Sequence, residues 1–194
     1  AVLGRHTPLT GVITQNVDGL HQAAGSAPVV DLHGNLARVV CLGCGRLSGR
    51  AELQVRLLEL NPEVAARLGD LSERARTAPD GDAEVEGMTG FAYPACPVCG
   101  GMLKPDVVYF GENARREVVE AANALFDAAE VLLVLGSTLT VMSGLRFARQ
   151  AVKQGKDVII AGDGVTRADD LATLRIHGRL EHILPFWADA LRAG

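Results

Sequence analysis

The chain has 194 residues, 48% of them apolar and 22% charged, with a net charge of −4 at neutral pH. That is enough chain for one domain with a small satellite, and enough apolar content for a buried core. It argues against a basic nucleic-acid binder, and the longest apolar run, Val131 to Leu135, falls far short of the roughly 20 residues that span a bilayer.

Ala1-Val2-Leu3-Gly4 reads as the tail of a helix that began earlier, so the sequence is expected to be a piece that starts part-way into a domain. Gly11-Val12-Ile13-Thr14 is a short strand running into the polar pair Gln15-Asn16, and Val29-Val30-Asp31-Leu32 is a second, stopped by His33-Gly34. Residues 39–101 then break the rhythm. Two cysteine pairs there bracket helical stretches over Ala51 to Leu60 and Pro62 to Leu68, followed by a loop, Thr77 to Gly90, rich in Asp, Glu and Gly and expected to be mobile. After it, Val107-Val108-Tyr109-Phe110 is strand-like and ends at Gly111. A helix is predicted over 113–129, where Val118, Val119, Ala122, Leu125 and Phe126 follow a 3.6-residue period. Val131 to Leu135 is expected to be a strand buried on both faces, followed by a helix at 143–154, a strand at Asp157 to Ala161 and a helix at 179–192.

Strands alternating with helices predict an α/β fold: a Rossmann-like, doubly wound parallel sheet with a small zinc-binding module inserted. The expected boundaries are 1–38 with 102–194 for the α/β body and 39–101 for the module. Polar and glycine residues gather at strand ends, the edge where open parallel sheets bind ligands.

The four cysteines form two C-x-x-C pairs, Cys41/Cys44 and Cys96/Cys99. No export signal opens the sequence, so the expected compartment is the cytoplasm and the pairs read as metal ligands before disulfides. Each pair can place two thiolates on one Zn²⁺ through a tight turn, with Gly43, Gly45, Gly100 and Gly101 supplying backbone freedom. Four sulfurs close the coordination sphere and leave no position for water or substrate, so the metal is expected to be structural. The bland reading is buried or redox-active thiols.

Gln15, Asn16 and Asp18 could hydrogen-bond a polar ligand, although alone they also suit an ordinary turn. His33 stands where the chain leaves a strand, and histidine is the natural general base near neutral pH. His6, His21, His177 and His182 compete for that part on chemistry alone. Gly136-Ser137-Thr138 and Gly162-Asp163-Gly164 could meet phosphate or ribose, or merely cap and turn.

Taken in order, Thr14-Gln15-Asn16-Val17-Asp18 with His21, His33-Gly34, the two cysteine pairs, Lys104 to Glu112, Gly136-Ser137-Thr138-Leu139 and Thr166 to Asp170 resemble the sirtuins, the NAD-dependent protein deacylases. Cys41-Leu42-Gly43-Cys44, the long insert and Val141-Met142-Ser143-Gly144 look most like the class II, lipoamidase-like branch. The resemblance implies that His33 is the general base acting on a ribose hydroxyl, with Asn16 as a second catalytic residue. It places Asn16 and Asp18 at the nicotinamide–ribose end of NAD and Gln15 on the ribose. Gly136, Ser137 and Thr138 fall on the adenosine side, with Gly162 and Gly164 beyond. Val108, Phe110 and Gly111 would line an acyl-lysine channel, the substrate peptide pairing strand-like with the backbone. The products would be nicotinamide, O-acyl-ADP-ribose and free lysine, and the partners acyl-lysine proteins acting on a monomer, with neither nucleic acid nor membrane.

Departures accompany the match. The family's Gly-rich NAD loop and first strand are absent from the sequence, so this chain is expected to bind NAD poorly and to fold without robustness. Gly162 stands where the family usually has an asparagine, a lost contact of about 1–2 kcal/mol. Tyr109 and Asp31 replace a Trp or Phe and a Glu. Mono-ADP-ribosyl transfer and a non-catalytic zinc-containing binding fragment are the alternative functions.

Overall fold

The computed structural model describes residues 2–67, 76–77, 83–84 and 90–193. The chain divides into two compact units, Ala1–Gly34 with Val108–Gly194, and Asn35–Val107.

In the first unit, α1 (Val2–His6), β1 (Val12–Thr14), α2 (Leu20–Ala23) and β2 (Val29–Asp31) lead the chain. Short apolar runs give β1 and β2, which pair in parallel with Thr14 opposite Asp31. These two form a sheet of their own. The rest of this unit holds a second, three-stranded sheet. Its strands lie in the order Leu174–His177, Asp157–Gly162, Val131–Leu135, all parallel. Two amphipathic helices, Arg116–Ala128 and Met142–Lys153, separate the β-strands along the chain, and Leu180–Ala193 closes it. Parallel strands with interleaved helices make this unit a Rossmann-like α/β fold.

The core joins both sheets. Leu145, Ala148 and Ala151 are buried on one side of the Met142–Lys153 helix, against Val134, Val158 and Ile160 of the second sheet. Ala122 and Phe126 are buried on the Arg116–Ala128 helix, which packs on the first sheet. Phe126 meets Phe147 with ring centroids 5.5 Å apart, a tilted pairing favoured by the ring quadrupoles.

Two expectations need correction in this unit. Val131 and Leu133 are 45% and 37% exposed, so the strand Val131–Leu135 is not buried on both faces. It is the outer strand of its sheet, and only Leu132 and Val134 face the core. The second correction concerns Val107 to Phe110. The strand Leu103–Val107 stops where this one was expected to start. Beyond it the Tyr109 N–H donates to Glu112 Oε2 and the Glu112 N–H to the Tyr109 carbonyl, both at 3.0 Å. With Gly111 at φ 87°, these bonds fold 109–112 into a turn.

The second unit holds strands that sequence periodicity did not reveal. β3 (Gly34–Cys41) lies centrally between β4 (Leu47–Gly49) and β7 (Leu103–Val107), which carries the unit's ends a few residues outside 39–101. β3 and β4 are antiparallel, with Arg38 opposite Gly49 and Val40 opposite Leu47. Arg38 Nε donates to Asp106 Oδ2 at 2.9 Å. The insert helices are α3 (Arg50–Leu60) and α4 (Pro62–Ala66). Pro62 suits the first turn of a helix, where its missing N–H costs nothing. Buried Asn61 joins this region to the second cysteine segment. Its Nδ2 donates to the Leu57 and Ala92 carbonyls at 2.8 Å, and its Oδ1 accepts the Ala92 N–H at 2.7 Å. A two-residue ladder pairs β5 (Arg76–Thr77) with β6 (Ala83–Glu84). Leu68 and the remainder of the acidic loop expected at 77–90, apart from Gly90, lie outside the described residues.

Numbered in chain order, the remaining elements are α5 (Arg116–Ala128), β8 (Val131–Leu135), α6 (Met142–Lys153), β9 (Asp157–Gly162), β10 (Leu174–His177) and α7 (Leu180–Ala193). Lys156 ties the C-terminal end of α5 to the start of β9. Its Nζ donates to the carbonyls of Phe126, Asp127 and Ala129 at 2.7, 3.1 and 2.6 Å, and lies 4.5 Å from the Phe126 ring centroid. A cation there satisfies the last carbonyls of the helix and opposes its dipole. Lys156→Met, which keeps the stem and removes the donors, should destabilise the protein by about 2 kcal/mol, read as a lowered denaturation midpoint in urea.

Candidate functional site

The cysteine centre is built by two knuckles of the same design. β3 ends at Cys41, whose N–H donates to the Arg46 carbonyl while its own carbonyl accepts the Gly45 N–H, both at 2.9 Å. The second knuckle repeats this: the Cys96 N–H donates to the Gly101 carbonyl and the Gly100 N–H to the Cys96 carbonyl, at 2.9 Å. Gly45 and Gly100 adopt φ 73° and 71°, which L side chains resist. Gly101 is needed for a different reason. A Cβ there would lie 3.0 Å from Cys41 Sγ and 3.2 Å from Gly43 Cα, so the two knuckles approach at a point only glycine allows.

The four sulfurs all lie within 4.8 Å of one another, with Cys41 to Cys99 at 3.4 Å and Cys44 to Cys96 at 3.9 Å. Zn–S bonds of about 2.3 Å in a tetrahedron require S···S separations of about 3.8 Å, so the set fits Zn²⁺. These spacings exceed the S–S bond of roughly 2 Å, and all four thiols are free. Backbone N–H groups of Val98 and Cys99 pull the Cys96 thiol down to about 6. Cys99, although the Gly101 N–H favours its thiolate, is pushed up to about 12 by sharing hydrogen bonds with Cys41 and Cys44. Four adjacent thiolates repel, and a divalent cation is the charge that lets all four ionise together.

The second site lies in the α/β unit, at the carboxyl ends of its parallel strands. β1 delivers Gln15, β2 delivers His33 after the buried Leu32, β8 delivers Gly136 and Ser137, and the first turn of α6 delivers Ser143. Their side chains form one connected set. Ser137 Oγ donates to Gln15 Oε1 at 3.2 Å, Gln15 Nε2 donates to Ser143 Oγ at 3.4 Å, and Ser143 Oγ lies 2.8 Å from His33 Nε2. Burial lowers the His33 pKa below its ordinary 6.5, partly offset by a hydrogen bond with the Gln15 main chain. The ring is therefore neutral at pH 7 with a nitrogen able to take a proton.

Around this set the loops are held by their own bonds. Gly136 has φ 60° and Leu139 φ 52°; a left-handed leucine costs about 1–2 kcal/mol. Burial of its side chain, 5% exposed, and a 3.2 Å bond from its N–H to Ser137 Oγ hold it there. The Arg167 N–H and Nη1 donate to the Thr138 and Thr140 carbonyls at 2.8 and 3.0 Å. Arg175 donates to the Gly162 carbonyl at 3.2 Å and to that of Gly164, while its Nε meets Asp169 Oδ1 at 3.1 Å. Asp169 also accepts from the Thr166 hydroxyl and N–H, which with Arg175 hold its carboxyl below the usual range.

The structure thus brings Gln15, His33 and Ser137 together and leaves other expected residues apart from that hydrogen-bonded set. Asn16 and Asp18 are exposed, and Asp18 Oδ1 accepts the Leu20 N–H at 3.0 Å, opening α2. Thr138 pairs with Thr140 Oγ1 at 3.0 Å. Phe110 is fully exposed and Gly111 is exposed, whereas the half-buried Val108 donates its N–H to the His33 carbonyl at 2.9 Å. Ser143 was missed as a site residue. A serine in the first turn of an amphipathic helix is too common to single out, and its importance depends on a contact 110 residues away in sequence.

One unit is Rossmann-like with a histidine at its strand ends, and the other carries four sulfurs that fit Zn²⁺; together they define a zinc-containing α/β protein. The Sir2 family model matches residues 1–143, and the chain belongs to the Sir2 family. It is 54% identical over 193 residues to NAD-dependent protein deacetylase 1 of Streptomyces coelicolor, covering 98% of this chain and 62% of that protein. A protein of the same name from Mycobacterium avium is 50% identical over 183 residues, covering 94% and 64%. The chain thus spans less than two thirds of these curated relatives. A solved structure of Sir2 bound to acetylated peptide superposes with a TM-score of 0.73 at 26% identity, covering 97% of this chain and 66% of that one. A Sir2–p53 peptide–NAD+ complex gives 0.68 at 26% identity, covering 95% and 64%.

Cys44→Ser should lower bound zinc from about one ion per chain to near none by elemental analysis. Hydrogen exchange at Val39 and Cys41 should accelerate with it, while the amides of β8 and β9 keep their protection.

Proposed function

We propose that the protein serves as a NAD-dependent protein-lysine deacylase, releasing nicotinamide, O-acyl-ADP-ribose and free lysine. The observation that carries this reading is a neutral His33 held at the parallel strand ends with Nε2 hydrogen-bonded to a hydroxyl. A ring nitrogen within hydrogen-bond reach of one hydroxyl in the resting protein is placed to take the proton of another. NAD, when bound, supplies the ADP-ribosyl group that receives the acyl group as nicotinamide departs.

The donor set suits such a ligand. Gln15 and Ser137 present amide and hydroxyl groups beside the base, and Asn16 and Asp18 stand on the exposed turn that follows β1. Gly136, Ser137 and Thr138 after β8, and Gly162 and Gly164 after β9, offer two tight loops at neighbouring strand ends, where backbone can approach a nucleotide closely. In this reading Asn16 acts with His33 at the reacting end. Val108, Phe110 and Gly111 meet an acyl-lysine peptide, which the acetylated-peptide complex of a structural relative supports. Zn²⁺ on Cys41, Cys44, Cys96 and Cys99 is structural, since four sulfurs leave no open coordination position.

The α/β body of residues 1–38 and 102–194 is the NAD-binding part, and 39–101 the zinc module. Membership of the class II branch rests on Cys41-Leu42-Gly43-Cys44 and Val141-Met142-Ser143-Gly144. Among the described residues no helix is long and apolar enough to cross a membrane. A cytoplasmic monomer acting on protein substrates rather than on nucleic acid completes this reading.

The test is His33→Ala in the complete gene product, assayed for nicotinamide release with an acetyl-lysine peptide. Loss of the base should cost about 100-fold or more in kcat. Because the His33 pKa is lowered, the active neutral form persists at pH 7, and the acidic limb of kcat/KM should fall below pH 6.5. Full activity of the variant overturns this mechanism, and transfer of ADP-ribose to protein without loss of acyl groups favours a transferase. A wild-type protein that releases no nicotinamide is a binding platform.

A further inference from the structure

The polar groups at the strand ends form one continuous chain of hydrogen bonds. The Leu139 N–H can only donate, and it donates to Ser137 Oγ at 3.2 Å. The Ser137 hydroxyl donates onward to Gln15 Oε1 at 3.2 Å. That commits the other end of the amide, Nε2, to donate to Ser143 Oγ at 3.4 Å. Ser143 then has one proton to give, and His33 Nε2 lies 2.8 Å away.

The hydrogen bond from the Gln15 main chain raises the His33 pKa, as an accepting carbonyl does and an N–H donor does not. A neutral imidazole has one proton, so a carbonyl acceptor on one nitrogen leaves the other as the lone-pair nitrogen. Gln15 thereby grips the histidine twice, through its main chain directly and through its side chain by way of Ser143.

Gly144 is what lets the amide reach. A Cβ at this position would lie 3.0 Å from Gln15 Oε1 and 3.2 Å from Cδ and Nε2. The first turn of α6 therefore presents a hydroxyl and, next to it, a gap that fits the Gln15 carboxamide.

Taking His33 as the general base proposed above, we infer that Ser143 is its positioning residue, donating to Nε2 and holding the ring as the Nδ1–H tautomer. Ser143 fills the acceptor lobe of the base in the resting protein and hands it to the substrate hydroxyl, so the base meets that hydroxyl already aimed and deprotonated at the correct nitrogen. Its partners reach it from the ends of β1 and β2, so its position reports on both at once.

The experiment is nitrogen-15 NMR of the imidazole nitrogens, assigned to His33 by comparison with His33→Ala, combined with steady-state kinetics of the complete gene product. The wild type should show His33 as the Nδ1–H tautomer. Ser143→Ala should shift it toward the exchanging mixture of a free histidine, and Ser143→Thr, which restores a hydroxyl, should return the Nδ1–H signature. In deacylation, Ser143→Ala should lower kcat by about tenfold, a part of what general-base catalysis contributes, with KM little changed, and Ser143→Thr should recover most of it. An Nε2–H signature in the wild type overturns the inference, because it reverses the direction of the chain, and that spectrum decides even where Ser143→Ala does not fold. An unchanged tautomer in Ser143→Ala, or no recovery in Ser143→Thr, overturns it as well. A wild type without deacylase activity refutes the enzymatic reading and leaves the tautomer to be judged by the spectra alone.

Discussion

The contact between Phe126 and Phe147 is the joint on which the α/β unit depends. Its strands fall in two separate sheets, β1 with β2 and β8 with β9 and β10, and no strand pairing joins them among the described residues. What joins them is the packing of α5, which covers the first sheet, against α6, which covers the second. The candidate site draws Gln15 and His33 from one sheet and Ser137 and Ser143 from the side of the other. Hydrogen-bond distances within that site therefore depend on the apolar core that both sheets share. Replacing a buried Phe by Ala removes about 3–5 kcal/mol of such packing, and here the loss would be felt as geometry as much as stability. Ala148 and Ala151, both fully buried, matter for the same reason: small residues let α6 lie close on β8 and β9.

Much of this was legible in the sequence because the relevant chemistry is local. Two C-x-x-C pairs flanked by glycine announce a four-sulfur centre whatever lies between them, and continuous apolar runs give β8 and β9. His33 and Gln15 were legible through a family resemblance rather than through periodicity, since five histidines compete on chemistry alone. The misses share a physical cause, which is dependence on tertiary context. β3 has its regular buried alternation only near its end, at Val39 and Cys41, because Leu36 and Ala37 face solvent. The exposure of Val131 and Leu133 follows from the place of β8 in its sheet, which no window of residues reveals. Val108 to Phe110 has strand composition, but the Glu112 side chain competes successfully for the Tyr109 N–H.

The second unit shows how a small sheet and a metal divide the work of holding an insertion together. β3 delivers Cys41 from its last position and β7 begins two residues after Gly101, so both knuckles are anchored to the same three strands. Asn61 satisfies all its amide bonds on Leu57 and Ala92, which fastens the insert helices to the segment leading to Cys96. A buried carboxamide with each partner in place specifies one arrangement more sharply than apolar contact would. The sulfurs are then left at tetrahedral spacing by the backbone.

The 2.9 Å bond from the Val108 N–H to the His33 carbonyl gives this histidine a further restraint, this time through its main chain. The loop from Val108 to Gly111 and the imidazole are thereby geared together: a displacement of one is transmitted to the other across a single hydrogen bond. In the proposed deacylase, a ligand that straightens this loop would also re-aim the ring, so recognition of a substrate backbone and alignment of the proton acceptor would share one mechanical coordinate.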